Sequence, residues 1–537
     1  MADIAPALDR PAGERLLDRL RQALGAEAVS ADEALRALYS QDIWAEGSHV
    51  ADAVVSPRDT AALAEAVRLT AAEHRPLAVR GGGMSYTQGY AVQAPGAVLI
   101  DLSRMDRVLR VSADDMTVTV QAGCTWKTLL ETLKPLGLRT PFWGPLSGIS
   151  STVGGGVSQH NAIFGAGRYG TTCESVVALT VVLADGRVLR TGAQGRGGET
   201  PFYRFFGPDL TGVFCGDTGA FGVKAEITLR LIRAPACEGY AAFAFDAADA
   251  ALRAAAEIAR AEVASECFGF DPALARARLK RASLLADVRT LGHVAARQQG
   301  WLKGVQEAAK VALAGRSFVG DDRWSIHLAS EGRSQAAVDA DLAEARRIAL
   351  AAGGREIENS IPKIMRAQPF TPLNNVLGPG GERWVPVHGI VALSDASACY
   401  AAIQAEFQAR AAQFATAGVE TGAMLTTLST NGFLIEPVFF WPEARLAIHE
   451  ATVEPAMLAR LPRLAPNPEA TALVAEARRA VVEVFQRFGA AHFQVGRTYP
   501  YRENRDAASR DLLDAVKAAV DPQMRLNPGG LGFPADA

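Results

Sequence analysis

The chain has 537 residues, 49% of them hydrophobic and 21% charged, with 55 Lys and Arg against 58 Asp and Glu. That composition excludes a disordered chain, a collagen-like chain and a small disulfide scaffold. A net charge of −3 offers nucleic acid no global attraction, and no apolar run reaches the roughly 18 residues that cross a bilayer. The length predicts about three or four units around a large core.

Residues 1–20 carry acids where a signal peptide needs a basic and then an apolar region, so a cytoplasmic location is expected. Cys124, Cys173, Cys215, Cys237, Cys267 and Cys399 are scattered without a CxxC pair. Neither a zinc site nor a redox dithiol is signalled, no metal is expected, and the thiols are expected to be reduced.

Residues 1–50 read as a polar helical segment. An α/β pattern follows: strand 51–56, a helix opened by Pro57, and strand Leu77–Arg80, which ends in Arg80-Gly-Gly-Gly-Met-Ser-Tyr-Thr-Gln-Gly89. Short strands are predicted at 98–102, 108–111 and 117–122, the last alternating Thr with Val as a half-buried strand does. A helix is predicted at 126–136. A second Gly/Ser-rich stretch runs from Gly144 to Ser158, and Asp185-Gly186 joins strands 176–183 and 188–191 as a hairpin turn. Strand 223–231 closes the unit. The composition changes after about Pro235. Residues 245–313 are rich in Ala and Arg and are predicted mostly helical; strands at 324–328, 384–393, 424–428 and 433–441 then alternate with helices at 335–352 and 396–415. Such passes predict an α+β layer. The end is a helix at 470–488, a loop bearing His492, Arg497, Tyr499, Tyr501 and Arg502, and a final helix stopping at Pro522.

Glycines permit positive φ and remove side chains, so successive backbone N–H groups can converge on one anion. Arg80–Gly89 is one such surface, and Gly148–Ser158, with its hydroxyls, is a second. Two together suggest a diphosphate held from two sides. Neither is a GxGxxG fingerprint followed by an acid, nor a P-loop.

The stretch Leu77-Ala-Val-Arg-Gly-Gly-Gly-Met-Ser-Tyr86 resembles the first flavin loop of the vanillyl-alcohol oxidase/p-cresol methylhydroxylase superfamily. Val98–Leu102, Val120–Gly123, Gly154–Gly156, Tyr169-Gly170, Leu183–Arg187, Gly219–Lys224 and Leu526-Asn-Pro-Gly529 follow in that family's order. The resemblance implies an α+β protein: an FAD-binding domain in two subdomains (51–235), an α+β cap with an antiparallel sheet and flanking helices (236–470), and a C-terminal segment (471–537) that returns to the FAD domain. It also implies that Arg80, Gly81, Gly82, Gly83, Met84, Ser85, Gly148, Ser151, Thr152, Gly154, Gly155, Ser158, Gly222, Val223 and Asn527 hold FAD. Many relatives attach FAD through a histidine where this chain has Met84, and Thr430–Ile435 offers neither His nor Tyr. Dissociable FAD is therefore expected, with His388 the reserve for a covalent link.

Gly496-Arg-Thr-Tyr-Pro-Tyr-Arg502 resembles the phenol-binding stretch of the 4-alkylphenol-oxidising branch, which implies a phenolate held by Tyr501 and Arg502. A cation and a hydroxyl donor would lower a phenol's pKa. A para-substituted phenol or aromatic alcohol is the leading substrate on this reading. The alternative is a 2-hydroxy acid of the D-lactate or glycolate type, although the His-x-Gly-Asp-Gly-Asn-x-His stretch usual in that branch is missing. His388 and Glu436 are base or ligand candidates, and Arg383 and Arg366 could bind a carboxylate. His160 or Gln159 stands where phenol-oxidising relatives carry an acid, and an imidazole suits proton transfer. His492 is a further candidate, with capping of the preceding helix as its plain role. The basic run from Arg276 to Lys310 reads first as a solvated helix face. The expected partners are a small-molecule substrate and O2 or another electron acceptor; nucleic acid and membrane are not expected, and a homodimer is compatible with the resemblance. A surface-binding protein that keeps the fold without turnover is the competitor from outside enzymes.

Overall fold

The computed structural model describes residues 10–196, 200–284 and 323–535. The chain builds three main sheets. The first has the order Val29–Ser30, Ala53–Val55, Val98–Asp101, Leu77–Arg80. Its last three strands are parallel and nearly all apolar and buried, as strands covered on both faces must be. Asp59 caps the crossover helix Thr60–Ala72 by accepting from the Ala62 N–H at 2.8 Å. The helix Arg10–Leu24 buries Leu16 and Leu20, and Val29 pairs antiparallel with Val55, so the N-terminal segment adds an edge strand to this sheet.

The second sheet is antiparallel, in the order Val108–Ser112, Thr117–Gln121, Val223–Arg230, Val176–Val182, Val188–Arg190. The Asp185-Gly186 turn closes its hairpin with Gly186 at φ 89°.

The third sheet is the cap, antiparallel and eight-stranded, running Arg355–Glu356, Cys237–Phe245, Trp324–Gly332, Glu266–Phe270, Glu420–Leu428, Gly432–Trp441, Arg383–Pro386, with Gly389–Ala392 also on Gly432–Trp441. Two of these strands lie where helix or no strand was expected. Glu266–Phe270 interrupts the predicted helical stretch, and Cys237–Phe245 precedes it. The former is buried throughout, so it shows no polar alternation to read. The flanking helices Ala248–Arg260 and Pro272–Leu284 are present; the rest of the basic run, including Arg289, Arg297, Lys303 and Lys310, lies outside the described residues.

The predicted strand 384–393 is split at Val387-His388, and the cause lies opposite. Pro386 pairs with Val438 and Gly389 with Ile435, so one register runs through the gap. It sets Val387 against Pro437, which has no N–H to donate, and His388 against Glu436. Val387 still donates to the Pro437 carbonyl at 2.8 Å.

The helix Pro468–Arg487 buries Val474, Val481 and Phe485, and Phe485 fills the space over Gly389 of the cap. The chain beyond it crosses to the first sheet, where Leu77 donates to the Arg525 carbonyl and Asn527 to the Leu77 carbonyl. Lys517, on the helix Ala507–Val520, is 1% exposed. Its ammonium donates to Asp521 at 2.6 Å and to the carbonyls of Ala220 (2.7 Å) and Leu526 (3.2 Å). Removing one partner of a buried ion pair costs about 3–5 kcal/mol. Lys517→Ala should therefore lose stability of that order in urea unfolding; a midpoint equal to that of the parent protein would show that this latch does not hold the C-terminal segment.

Candidate active site

The loop after strand Leu77–Arg80 and the stretch before helix Val153–Gln159 pack directly on one another. A Cβ on Gly82 would strike the Ser150 carbonyl, and one on Gly81 would meet the Thr152 hydroxyl at 2.5 Å. Gly83 has φ 72°, so only glycine takes that turn without strain. Thr152 caps the short helix by accepting from the Gly155 N–H at 3.1 Å. Among the described residues, the N–H groups of Gly81 to Ser85 find no acceptor in the protein. Donors left open in a cradle too narrow for a Cβ are what a pyrophosphate requires.

The cradle opens into an elongated cavity with roughly 1540 Å³ of empty space, part of it open to solvent. Gly81, Gly82, Gly83, Met84, Ser85, Ser151, Thr152, Gly154, Gly155, Ser158, Gly222 and Val223 line it. Three of the expected FAD residues do not. Arg80 turns its guanidinium over the Tyr39 ring at 4.0 Å, with Asp101 at 3.7 Å. Gly148 is packed under Phe370. Asn527 is a latch: its amide donates to the carbonyls of Gly89 (2.8 Å) and Thr218 (2.6 Å), and its oxygen accepts from Arg497.

The far end of the cavity is formed by the cap. Met424 pairs with Glu436 across the sheet, and Leu434 lies two residues along, so all three project from one face. Trp384, Phe493, Tyr86 and Arg278 complete this end. Glu436 opens onto the cavity and is remote from bulk water; burial raises its carboxyl pKa to about 7, with Arg278 opposing the shift. Arg278 lies 4.3 Å above the Phe270 ring. Burial lowers its pKa to about 10 and Glu436 opposes that shift, yet among the described residues it makes no ion pair within 4.0 Å.

The other sequence candidates are placed elsewhere. Tyr501 and Arg502 do not reach the cavity: Arg502 is bound bidentately to Asp514 at 2.8 and 2.6 Å, and the Arg505 guanidinium covers the Tyr501 ring at 4.6 Å. Tyr499, two residues earlier, is the buried one. Its hydroxyl accepts from the His388 backbone N–H at 2.8 Å and lies 3.2 Å from His388 Nδ1. His388 is fully buried behind the cavity wall, stacked on Phe493 at 4.1 Å, and its pKa is driven well down by burial. His492 stacks on Tyr499 at 4.0 Å and donates to the His388 carbonyl at 2.7 Å rather than to its preceding helix. His160 is turned away toward Thr171 at 3.1 Å and lowered to about 4 by burial. Arg366 is engaged by Glu266, Glu331 and Glu238, and Arg383 by the Trp44 carbonyl. Gln159 does line the cavity.

Arg278, Tyr86 and Trp384 line the cavity and were not among the sequence candidates. Tyr86 stands inside the glycine motif and was legible there. Arg278 is one of several basic residues in a row, and nothing in the pattern marks it as the one that turns inward.

The fold and the cradle define an FAD-binding protein, and comparison with known proteins agrees. Residues 51–192 match the family described as an FAD binding domain. The Bacillus subtilis (strain 168) glycolate oxidase subunit GlcD is 28% identical over 46% of this chain and 51% of its own. The Danio rerio probable mitochondrial D-lactate dehydrogenase is 30% identical over 47% and 49%. The chain thus spans about half the length of these curated relatives. Among solved structures, p-cresol methylhydroxylase with substrate bound superimposes with a TM-score of 0.73 at 18% identity, covering 98% of each chain. The Gulosibacter chungangensis 4-ethylphenol oxidase gives 0.69 at 18%, covering 99% of each. The chain thus carries an FAD binding domain over residues 51–192 and shares the fold of these two solved structures. Among the described residues, no helix is long and apolar enough to cross a membrane, and no group of three or more His, Cys, Asp or Glu could hold a metal.

Gly82→Ala should abolish FAD retention, because the obstacle is backbone rather than a movable side chain. The purified variant should be colourless with an unchanged far-UV circular dichroism spectrum; a normally yellow variant would contradict the cradle.

Proposed function

We propose that the protein is an FAD-dependent oxidoreductase that oxidises a 2-hydroxy carboxylate with an apolar or aromatic side chain, and that it binds FAD without a covalent link. The observation that carries this reading is Arg278, a buried cation that opens on the chamber together with Glu436 and, among the described residues, makes no ion pair within 4.0 Å. A buried unpaired charge is costly, and a substrate carboxylate would relieve that cost with charge-assisted hydrogen bonds. The phenol reading rested on Tyr501 and Arg502, which lie outside the cavity. The names of the curated relatives, a glycolate oxidase subunit and a D-lactate dehydrogenase, agree in substrate class.

FAD, when bound, supplies the acceptor for the hydride that leaves the carbinol carbon. Arg278 orients the carboxylate. Glu436 takes the hydroxyl proton, since its pKa of about 7 suits a general base at neutral pH. Trp384, Tyr86 and Phe493 enclose the side chain and exclude water, leaving a 2-oxo acid as product. O2 or a separate acceptor then takes the electrons. Among the described residues that line the cavity there is no His or Cys, and Tyr86 and Tyr90 are the side chains there that a covalent link would need.

Four outcomes are expected. In anaerobic mixing, D-mandelate or D-lactate should bleach the flavin and 4-ethylphenol should not; bleaching by the phenol alone would move the assignment to aromatic substrates, which the aromatic walls also fit. Glu436→Gln should lower kcat about 10²–10⁴-fold with FAD still bound. In the parent enzyme, kcat/KM should fall tenfold per pH unit below about 7, as Glu436 gains its proton; a flat profile there would exclude Glu436 as the base. Acid precipitation should leave the yellow colour in the supernatant, whereas a yellow pellet would reveal a covalent bond.

A further inference from the structure

Two of the six cysteines, 42 residues apart in sequence, meet beneath the glycine helix. Cys173 lies in the short turn Thr172–Ser175, and Cys215 follows the helix Leu210–Val213. Both segments are anchored on one carbonyl: the Cys173 thiol donates to Val157 O at 3.4 Å, and the N–H of Gly216, next to Cys215, donates to the same oxygen at 2.8 Å. The two thiols perturb one another's ionisation. The Arg204 guanidinium closes the arrangement, donating to the Cys173 carbonyl at 2.6 Å while paired with Asp209 at 2.8 Å. The thiols are unlike in setting: Cys173 is buried, whereas Cys215 is partly exposed.

We propose that Cys173 and Cys215 are a redox modification site, oxidised to a disulfide by hydrogen peroxide. Reactivity requires a thiolate and access. Cys215 is partly exposed; the neighbouring Cys173, then the charges of Arg204 and Lys224, lower its pKa from the ordinary thiol value, while burial holds Cys173 well above it. The Cys215 thiolate attacks one peroxide oxygen and releases hydroxide, giving a sulfenic acid. The Cys173 sulfur then attacks the Cys215 sulfur; its proton and the departing hydroxyl leave as water. Two thiols lose two electrons in total, and one peroxide is reduced to two waters. Cys124, Cys267 and Cys399 are buried, and burial raises the pKa of each to about 12, so they are poor competitors.

The test treats the FAD-loaded protein with one equivalent of hydrogen peroxide, blocks free thiols with N-ethylmaleimide, reduces, labels with the heavy reagent and maps peptides by mass spectrometry. Heavy label should appear at Cys173 and Cys215 together, and an unreduced sample should contain their cross-linked peptide, lighter by two hydrogens than the sum. In Cys173→Ser, the disulfide should vanish and excess peroxide should drive Cys215 to the sulfinic acid. In Cys215→Ser, Cys173 should stay reduced. Equal light labelling of Cys215 with and without peroxide would overturn the proposal, as would a disulfide to any other cysteine. The readout is covalent chemistry at sulfur and needs no turnover, so it stands apart from the substrate assignment.

Discussion

The close packing of Gly81–Gly83 against Ser150–Gly155 is the constraint on which the rest depends. Two backbone segments, the loop after strand Leu77–Arg80 and the turn into helix Val153–Gln159, approach so nearly that no Cβ fits between Gly82 and the Ser150 carbonyl. The approach leaves the N–H groups of Gly81 to Ser85 without protein acceptors. Their desolvation is expensive unless an anion takes them, so the fold stores a binding preference in its backbone. Much of the chain serves to hold that approach in place. Asn527 ties the C-terminal segment to Gly89 and Thr218 on either side of it, Arg497 donates to the Asn527 oxygen, and Asp42 accepts the Trp44 and Ala45 N–H groups and that of Gln88 in the loop itself.

The cap brings the second half of the chemistry by a different means. Its sheet registers Met424, Glu436 and His388 in one row, of which Met424 and Glu436 face the open end of the cradle. Burial then acts in opposite senses along it. Glu436 faces the cavity and rises to about 7, while His388, one layer back and stacked on Phe493, is held neutral. A carboxyl raised to about 7 near a guanidinium that, among the described residues, makes no ion pair within 4.0 Å is an arrangement that burial alone would penalise. On the proposed reading, an anionic substrate would complete it.

How much of this was legible depended on whether the signal was local. The glycine stretches, the Asp185-Gly186 hairpin and Thr117–Gln121 are written in neighbouring residues, and the structure has the hairpin and the strand where they were expected. Glu266–Phe270 was not, because a strand buried on both faces shows no alternation and sits inside an Ala- and Arg-rich stretch. In Gly496–Arg502 the motif drew attention to Tyr501, whereas the buried hydroxyl belongs to Tyr499. Two tyrosines separated by one proline are equivalent until the loop's path is known. Arg278 was hidden for a related reason: helical position decides which of several basic side chains points inward, and that depends on the sheet beneath. Pro437 was visible throughout, but its effect on Val387 and His388 needed the cross-strand register.

The central claim is that one elongated chamber holds the dinucleotide at its glycine end and presents the reacting ring to Glu436 and Arg278. A crystal structure of the protein soaked with FAD tests it most directly. The account predicts pyrophosphate oxygens on the N–H groups between Gly81 and Ser85 and the flavin ring directed toward Glu436. A pyrophosphate bound elsewhere, or a ring turned away from the cap, would contradict it.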